Sequence, residues 1–141
     1  MLDAWAARWG IPPAAIADLR ASITDTTPTT PGKSEAAAQQ AIRLDATRRG
    51  DRLWRNNRGA CMDERGNMVR YGLANDSKQL NDKIKSSDLI GITGAGIFTS
   101  IEVKPPGWKY RATPRERAQL AWLELVVAMG GVGRFMTGVQ P

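Results

Sequence analysis

The sequence has no histidine, and its 141 residues include a single cysteine, Cys61. Without an imidazole the chain cannot form a Ser-His-Asp or Cys-His catalytic centre, an HNH-type nuclease site or a histidine-bound metal site. One thiol cannot form an intramolecular disulfide or a cysteine-based zinc site. Any catalysis must therefore use carboxylates, amines, hydroxyls or a metal ion held by carboxylates.

Long apolar runs are missing as well, because no stretch approaches the roughly 18 consecutive apolar residues of a membrane span. We therefore expect no contact with a membrane. The first residues also lack a basic segment followed by an apolar one, which is the pattern of a secretory signal. These two absences predict a cytoplasmic protein.

Acidic residues are in the minority, with 14 Asp and Glu against 20 Lys and Arg, a net charge of +6. Residues 1–32 contain two arginines and three aspartates, a net charge of −1. The remaining 109 residues contain 18 Lys and Arg against 11 Asp and Glu, a net charge of +7. A basic body favours polyanionic partners, nucleic acid first. The alternative is a basic surface with no special partner.

This shift in charge divides the chain into residues 1–32, a helical extension with a linker, and residues 33–141, the main domain. Residues 1–23 predict one or two short helices, interrupted around Gly10 and Pro12. Residues 24–32 are rich in Thr and Pro and predict a linker. Trp5 and Trp9 share a helix face. The extension is a dimer contact, a docking helix pair or a cap.

The main domain predicts an α/β fold. Ser34 is the expected N-cap of an Ala-rich helix that runs to Ala46. A β-hairpin is expected between residues 52–56 and 68–71, across a long loop. Residues 74–85 form either a short helix or an exposed insertion. Residues 88–93 and 97–104 predict two strands joined by a glycine turn, the first of them buried on both faces.

The last two elements are a helix and a strand. Thr113, Pro114 and Glu116 make a capping box with proline at the first helical position, and Gly130 ends the helix. Residues 132–137 predict the final strand. The order of the main domain is thus α-β-β-β-β-α-β, with a mixed central sheet flanked by helices.

The chemistry is concentrated in the strand residues Ile101-Glu102-Val103-Lys104. Side chains alternate on a strand, so Glu102 and Lys104 share one face while the two apolar residues face the other way. Asp88 begins the preceding strand and can approach Glu102 if the two strands pair. Two carboxylates and the Val103 carbonyl suit Mg²⁺ or Mn²⁺. The alternative is a salt bridge on a solvated face.

The ordered segments SEAAAQQAI, LWRNNRG, VRYGL, SSDLIGI, IFTSIEVK and TPRERAQLAWLELVVAMGG resemble the VRR-NUC branch of the PD-(D/E)XK nuclease superfamily. The resemblance covers most of residues 34–137 and implies a restriction-endonuclease-like core. It assigns catalytic roles to Asp88, Glu102 and Lys104, and adds Gln119 from the following helix. It also adds Glu35 as a further helical acid that holds the metal directly or through water.

The function implied is metal-dependent, structure-directed cleavage of DNA. Small stand-alone members resemble phage or bacterial homodimers that act on branched DNA such as four-way (Holliday) junctions, in the host cytoplasm when phage-encoded. Flap or nicking activity, and a non-catalytic nucleic-acid-binding module, are the alternatives. Three departures from the family concern substrate geometry and oligomeric state: the insertion at residues 74–85, Ser86-Ser87 before Asp88, and residues 1–32.

Two basic segments are candidates for contact with nucleic-acid phosphates. The first follows an expected strand and contains Arg55, Asn57 and Arg58. The second lies beyond the Glu-Val-Lys strand and contains Lys109, Arg111 and Arg115. Trp108 and Tyr110 interleave with the second segment and could stack on an unpaired base. For all of these residues the alternative is an ordinary solvated turn or face, or packing of the two aromatic rings.

Overall fold

The structure, a computed structural model, describes residues 1–26 and 34–139. This part of the chain contains five helices and six strands. In chain order they are α1 (Leu2–Arg8), α2 (Pro13–Thr24), α3 (Glu35–Arg48), β1 (Arg52–Arg55), β2 (Gly59–Met62), β3 (Met68–Tyr71), α4 (Lys78–Lys83), β4 (Leu89–Ile92), β5 (Phe98–Val103), α5 (Pro114–Ala128) and β6 (Val132–Met136). Residues 27–32, which are most of the predicted linker, lie outside the described residues.

The main sheet has four strands in the order β1-β4-β5-β6. The first two pairings are antiparallel, and the β5–β6 pairing is parallel. A separate antiparallel pair, β2–β3, forms a hairpin that stands apart from this sheet. The prediction of an α/β fold with a mixed central sheet is therefore confirmed.

The predicted hairpin between residues 52–56 and 68–71 is wrong. β1 pairs with β4, and β3 pairs with β2, a strand that the sequence reading assigned to a loop. β1 approaches β4 closely at Gly91, where a Cβ atom would lie 1.8 Å from the carbonyl oxygen of Arg52. With α4 and β2 added, the main domain has the order α-β-β-β-α-β-β-α-β instead of the predicted α-β-β-β-β-α-β.

Local signals placed the two long helices well. Ser34 caps α3 by accepting the N–H of Ala37 at 3.1 Å. At the start of α5, Thr113 Oγ1 accepts the N–H of Glu116, and Glu116 Oε2 accepts the N–H of Thr113. Both caps satisfy N–H groups that have no partner inside the helix. α5 ends before Gly130, whose φ of +90° suits glycine.

The main sheet has a separate apolar cluster on each face. The cluster with α3 is made of Ala38, Ile42, Ala46, Leu53, Leu89, Ile101 and Val103. The cluster with α5 is made of Ile23, Trp122, Leu123, Val126 and Phe135. Because strand residues alternate, β5 sends Ile101 and Val103 toward α3 and Glu102 toward α5. The predicted division of this strand into an apolar and a charged face is confirmed.

The N-terminal helices pack against the main domain through α5 and β6. Leu2, Ala6 and Ile16 form their own small cluster, with Ala128 of α5 against it. Arg20 donates to both Asp3 and Glu124, with a shortest distance of 2.7 Å to each carboxylate. The predicted helical content of the extension is confirmed, as two helices. No helix in the described ranges is long and apolar enough to cross a membrane.

Candidate active site

The pairing of β4 with β5 brings the two predicted carboxylates together. Leu89 is paired with Ile101, so the same register continued by one residue places Asp88 opposite Glu102. The β1–β4 register continued likewise places Asn56 opposite Asp88, and the Asn56 N–H donates to the Asp88 carbonyl at 2.7 Å. A polar row therefore crosses three strands at one end of the main sheet.

Glu102 is almost fully buried at the centre of this row, with 2% of its surface exposed. Its Oε1 accepts a hydrogen bond from Nε2 of Gln119 and lies 3.7 Å from Nζ of Lys104. Its Oε2 has no hydrogen-bond partner in the described part of the chain. A buried carboxylate oxygen without a hydrogen-bond partner is costly.

The pKa of Glu102 is raised to about 8, chiefly by burial and next by the negative charge of Asp88. Lys104 and two arginines, Arg58 and Arg115, act against this shift. The three cations do not compensate for the loss of water and the repulsion between carboxylates. A divalent cation between Asp88 and Glu102 would relieve both.

The Asp88 carboxylate is held against the main chain of β5. Its Oδ2 accepts the N–H of Val103 at 3.1 Å, so the backbone of Val103 lies beside both predicted acidic ligands. Asn56 supports the segment before Asp88, because its Nδ2 donates to Ser86 Oγ and to the Ser87 carbonyl, each at 2.9 Å. Ser86 in turn donates to the Leu73 carbonyl. Ser86 and Ser87 are thus buried parts of the scaffold that positions Asp88.

Gln119 connects the lysine to the glutamate. Its Oε1 accepts from Lys104 Nζ at 2.9 Å while its amide nitrogen donates to Glu102. One helical turn further on, Trp122 Nε1 donates to Ser100 Oγ at 2.9 Å. These two contacts seat α5 along the charged face of β5. The prediction that Gln119 and Trp122 lie on the inward stripe of this helix is confirmed, since both are buried.

The Lys104 ammonium lies between polar and aromatic groups. Besides Gln119 and Glu102, it lies 5.4 Å from the ring centre of Trp108 and 5.8 Å from that of Phe135. Trp108 is itself fixed by a hydrogen bond from its Nε1 to Glu116 at 3.0 Å. Contacts on several sides restrict the lysine to one position beside the two carboxylates.

Glu35 is not brought to this cluster. It lies exposed in the first turn of α3. Within residues 1–26 and 34–139, no group of three or more His, Cys, Asp or Glu side chains is placed to hold a metal ion. The acidic ligands that the structure does bring together are Asp88 and Glu102, with the main chain of Val103 beside them.

Two of the predicted phosphate-contacting residues converge beside the site, and the others do not. Arg58 and Arg115 line one cleft of about 320 Å³ together with Arg70, Asn75, Asn81 and Lys85. Arg55 instead lines a groove along α3 with Gln39 and Arg43. The remaining candidates, Asn57, Lys109 and Arg111, are exposed and do not line this cleft.

Sequence reasoning missed Arg70 and Lys85. Arg70 lies on β3 opposite Ala60, inside a segment that was read only as a strand. Lys85 lies three residues before Asp88, and this closeness in sequence was the signal that could have pointed to it. The two aromatic residues proposed for base stacking pack inward: the ring centres of Trp108 and Tyr110 lie 4.8 and 6.0 Å from that of Phe135.

Comparison with known proteins provides no relative for this site. No family model, curated protein or solved structure matches the chain.

Proposed function

We propose that this protein is a Mg²⁺- or Mn²⁺-dependent nuclease that hydrolyses phosphodiester bonds in DNA. One observation carries the proposal: Asp88, Glu102, Lys104 and Gln119 converge at one end of the sheet, with the Glu102 carboxylate buried and one of its oxygens unpartnered. The order and types of these residues resemble the Asp…Glu-x-Lys pattern of the PD-(D/E)XK nucleases.

The donor set fits a hard divalent cation. Such ions prefer carboxylate and carbonyl oxygens. Glu102 and the main chain of Val103 on β5 offer such oxygens, and so does Asp88, which directly precedes β4. The residues that would hold the ion are these three, with Glu35 left as a more distant candidate that would need water or a movement of α3. When bound, a divalent cation supplies Lewis acidity toward a phosphoryl oxygen.

The chain's own residues would divide the remaining work. Among the described residues, Lys104 is the lysine whose ammonium group contacts Glu102 and Gln119. It can orient a water molecule for attack and stabilise negative charge that develops on the phosphoryl oxygens. Gln119 is a positioning residue, because it fixes the lysine relative to Glu102. Arg58 and Arg115 add positive potential for the approach of a polyanion.

The more specific proposal about the substrate rests on the resemblance of the sequence to the nuclease family. We extend the proposal to branched DNA, four-way junctions in particular, and to a homodimer that would place two active sites across one junction. Flap cleavage and nicking use the same residues and are separate outcomes of the test.

The test is cleavage of end-labelled four-way junction, flap and linear duplex DNA in Mg²⁺, Mn²⁺ or EDTA. Glu102→Gln and Lys104→Ala are compared with Glu64→Gln, which makes the same carboxylate-to-amide change at an exposed residue of the β2–β3 turn. We expect metal-dependent cutting by the wild type and by Glu64→Gln, and loss in the two site variants. Absence of cutting in every metal with DNA binding retained would replace this proposal with the non-catalytic binding module.

A further inference from the structure

We propose that the cleft lined by Arg58, Arg70, Lys85 and Arg115, hereafter the basic cleft, binds the sugar-phosphate backbone of the nucleic-acid strand that reaches Asp88 and Glu102. This inference rests on the proposed function, because it assumes that the bound strand continues to an active site at Asp88 and Glu102. It goes further in assigning substrate binding to the β2–β3 hairpin and to Lys85.

Three separate parts of the chain build the basic cleft. The hairpin contributes Arg70 from β3, with Gly59 and Ala60 of β2 beside it. The segment after α4 contributes Lys85, and the first turn of α5 contributes Arg115. Residues 74–85, the expected insertion relative to the resembled family, contribute Asn75, Asn81 and Lys85 to the lining of the basic cleft.

In the described part of the chain, no salt bridge neutralises the cations of the basic cleft. Among the described residues, none of the four forms an ion pair with a carboxylate within 4.0 Å. Other surface cations do form such pairs, including Lys78 with Asp82 at 2.7 Å. Asp82, which pairs with Lys78, acts on Lys85 and Arg70 only as a more distant charge. The positive charges of the basic cleft therefore outnumber the carboxylates that act on them, and this excess favours an anionic ligand.

Lys85 lies where burial and the neighbouring cations disfavour its positive charge. Its backbone N–H donates to the Ala118 carbonyl at 2.9 Å, which ties the lysine to α5. Partial burial lowers the pKa of Lys85, and repulsion by Arg58 and Arg115 lowers it further. An anion bound among these groups would offset the repulsion.

The cleft is also held in shape before any ligand arrives. Asn75 is buried, and its Nδ2 donates to the carbonyls of Gly59 and Tyr71, each at 2.9 Å. Its Oδ1 accepts from Arg70 Nη1 at 3.1 Å. One amide therefore fixes both strands of the hairpin and the direction of the arginine.

The charge of the cleft points to a strand of several phosphates. Four cations exceed the charge of one small phosphate, whereas consecutive phosphodiesters supply one negative charge each. Guanidinium groups also match phosphate oxygens in a bidentate manner. Arg58 and Arg115 attract the Glu102 carboxylate as well, so the cleft and the acidic site share one electrostatic field.

The inference is tested by binding without cleavage. Fluorescein-labelled single-stranded and duplex DNA are titrated in EDTA and followed by anisotropy at several salt concentrations. The variants are Arg70→Gln and Lys85→Gln, with Lys85→Arg to retain the charge. The matched control is Arg134→Gln, because Arg134 is an exposed cation of β6 outside the basic cleft. Far-UV circular dichroism and thermal unfolding check that each variant is folded.

We expect weaker binding in Arg70→Gln and Lys85→Gln, and recovery in Lys85→Arg. The slope of log K against log salt is negative, and its magnitude should fall by about 0.9 per lost contact on duplex DNA, or about 0.7 on a single strand. The control should behave as the wild type. Equal losses in the control, or wild-type binding in folded Arg70→Gln and Lys85→Gln proteins, would overturn the inference. Cleavage measured separately decides the nuclease proposal, so the two can fail independently.

Discussion

Asp88 lies opposite Glu102 in the continued register of β4 and β5, and its charge helps to raise the pKa of Glu102 to about 8, after the larger effect of burial. The sheet thus holds the two carboxylates close together, and α5 covers that of Glu102. Positions of this kind cost stability in the absence of a counter-ion. Strongly perturbed carboxylates in such places are typical of functional sites.

The first prediction concerns stability in EDTA. Glu102→Gln removes a buried charge beside Asp88 and keeps an oxygen that can accept the hydrogen bond from Gln119. We expect the variant to be more stable than the wild type at pH 8 by about 1–3 kcal/mol, because at that pH the folded wild type must bury the ionised form of Glu102 or take up a proton that the unfolded chain has released. Urea unfolding followed by circular dichroism measures this, with Glu64→Gln as the control.

The same pair of proteins tests metal binding without any cleavage assay. Adding Mg²⁺ or Mn²⁺ should raise the melting temperature of the wild type and of Glu64→Gln, because a ligand that binds the folded state stabilises it. Glu102→Gln should respond much less. A Glu102→Gln protein that is less stable in EDTA, and that responds to metal as the wild type does, contradicts the assignment.

The second prediction concerns Gln119 as a positioning residue. Gln119→Ala removes the amide that connects Lys104 to Glu102. We expect kcat for cleavage to fall by about a hundredfold, as small misplacements of catalytic groups can cause, while KM changes little. The control is Gln40→Ala on the exposed surface of α3. A fall in DNA affinity with kcat unchanged would assign Gln119 to substrate binding instead.

The third prediction concerns acid stability and Glu116. Burial acts to raise the pKa of this carboxyl, but hydrogen bonds from the backbone N–H groups of Arg111 and Thr113 and from the Trp108 indole outweigh it, so the pKa lies below its ordinary value of 4.5. The folded state therefore favours the ionised form. Its stabilising contribution is complete above the unfolded pKa and is lost as the pH falls through the folded value.

Glu116→Gln should remove part of this acid sensitivity. We expect the variant to be less stable than the wild type by about 1 kcal/mol at pH 7, typical of a lost helix cap, and the difference to shrink as the pH drops below about 4.5. Unfolding free energies measured from pH 3 to pH 7 show both effects. A difference that is constant across this range would mean that the charge of Glu116 contributes nothing.

The parts of the fold that depend on neighbouring residues were predictable from sequence. Thr113, Pro114 and Glu116 specify the start of α5 because a cap satisfies its hydrogen bonds within one turn. The alternation in residues 101–104 placed Glu102 on the face opposite to Ile101 because the period of a strand is two. The same alternation brought Glu102 and Lys104 forward as candidate residues. Asp88 followed from the expected pairing of the two strands, and Gln119 followed from the family resemblance.

The pairing of strands could not be obtained in this way. The expected partner of residues 52–56 was the segment 68–71, whereas β1 pairs with β4, and the paired residues Arg52 and Ile92 are 40 positions apart in the chain. Gly91 permits that close approach, and nothing local to residues 52–56 announces it. β2 was missed because Gly59–Met62 is short and exposed, with little of the hydrophobic pattern that marks a strand.

The sequence by itself determined the helix caps, the charged face of β5 and the basic character of the body, since each follows from residue type and local spacing. Only the tertiary structure decided that Glu35 stays apart from the acidic pair and that Arg70 and Lys85 join Arg58 and Arg115 in one cleft. Both outcomes depend on how separate elements pack, and the free energy of that packing is spread over contacts far apart in the chain.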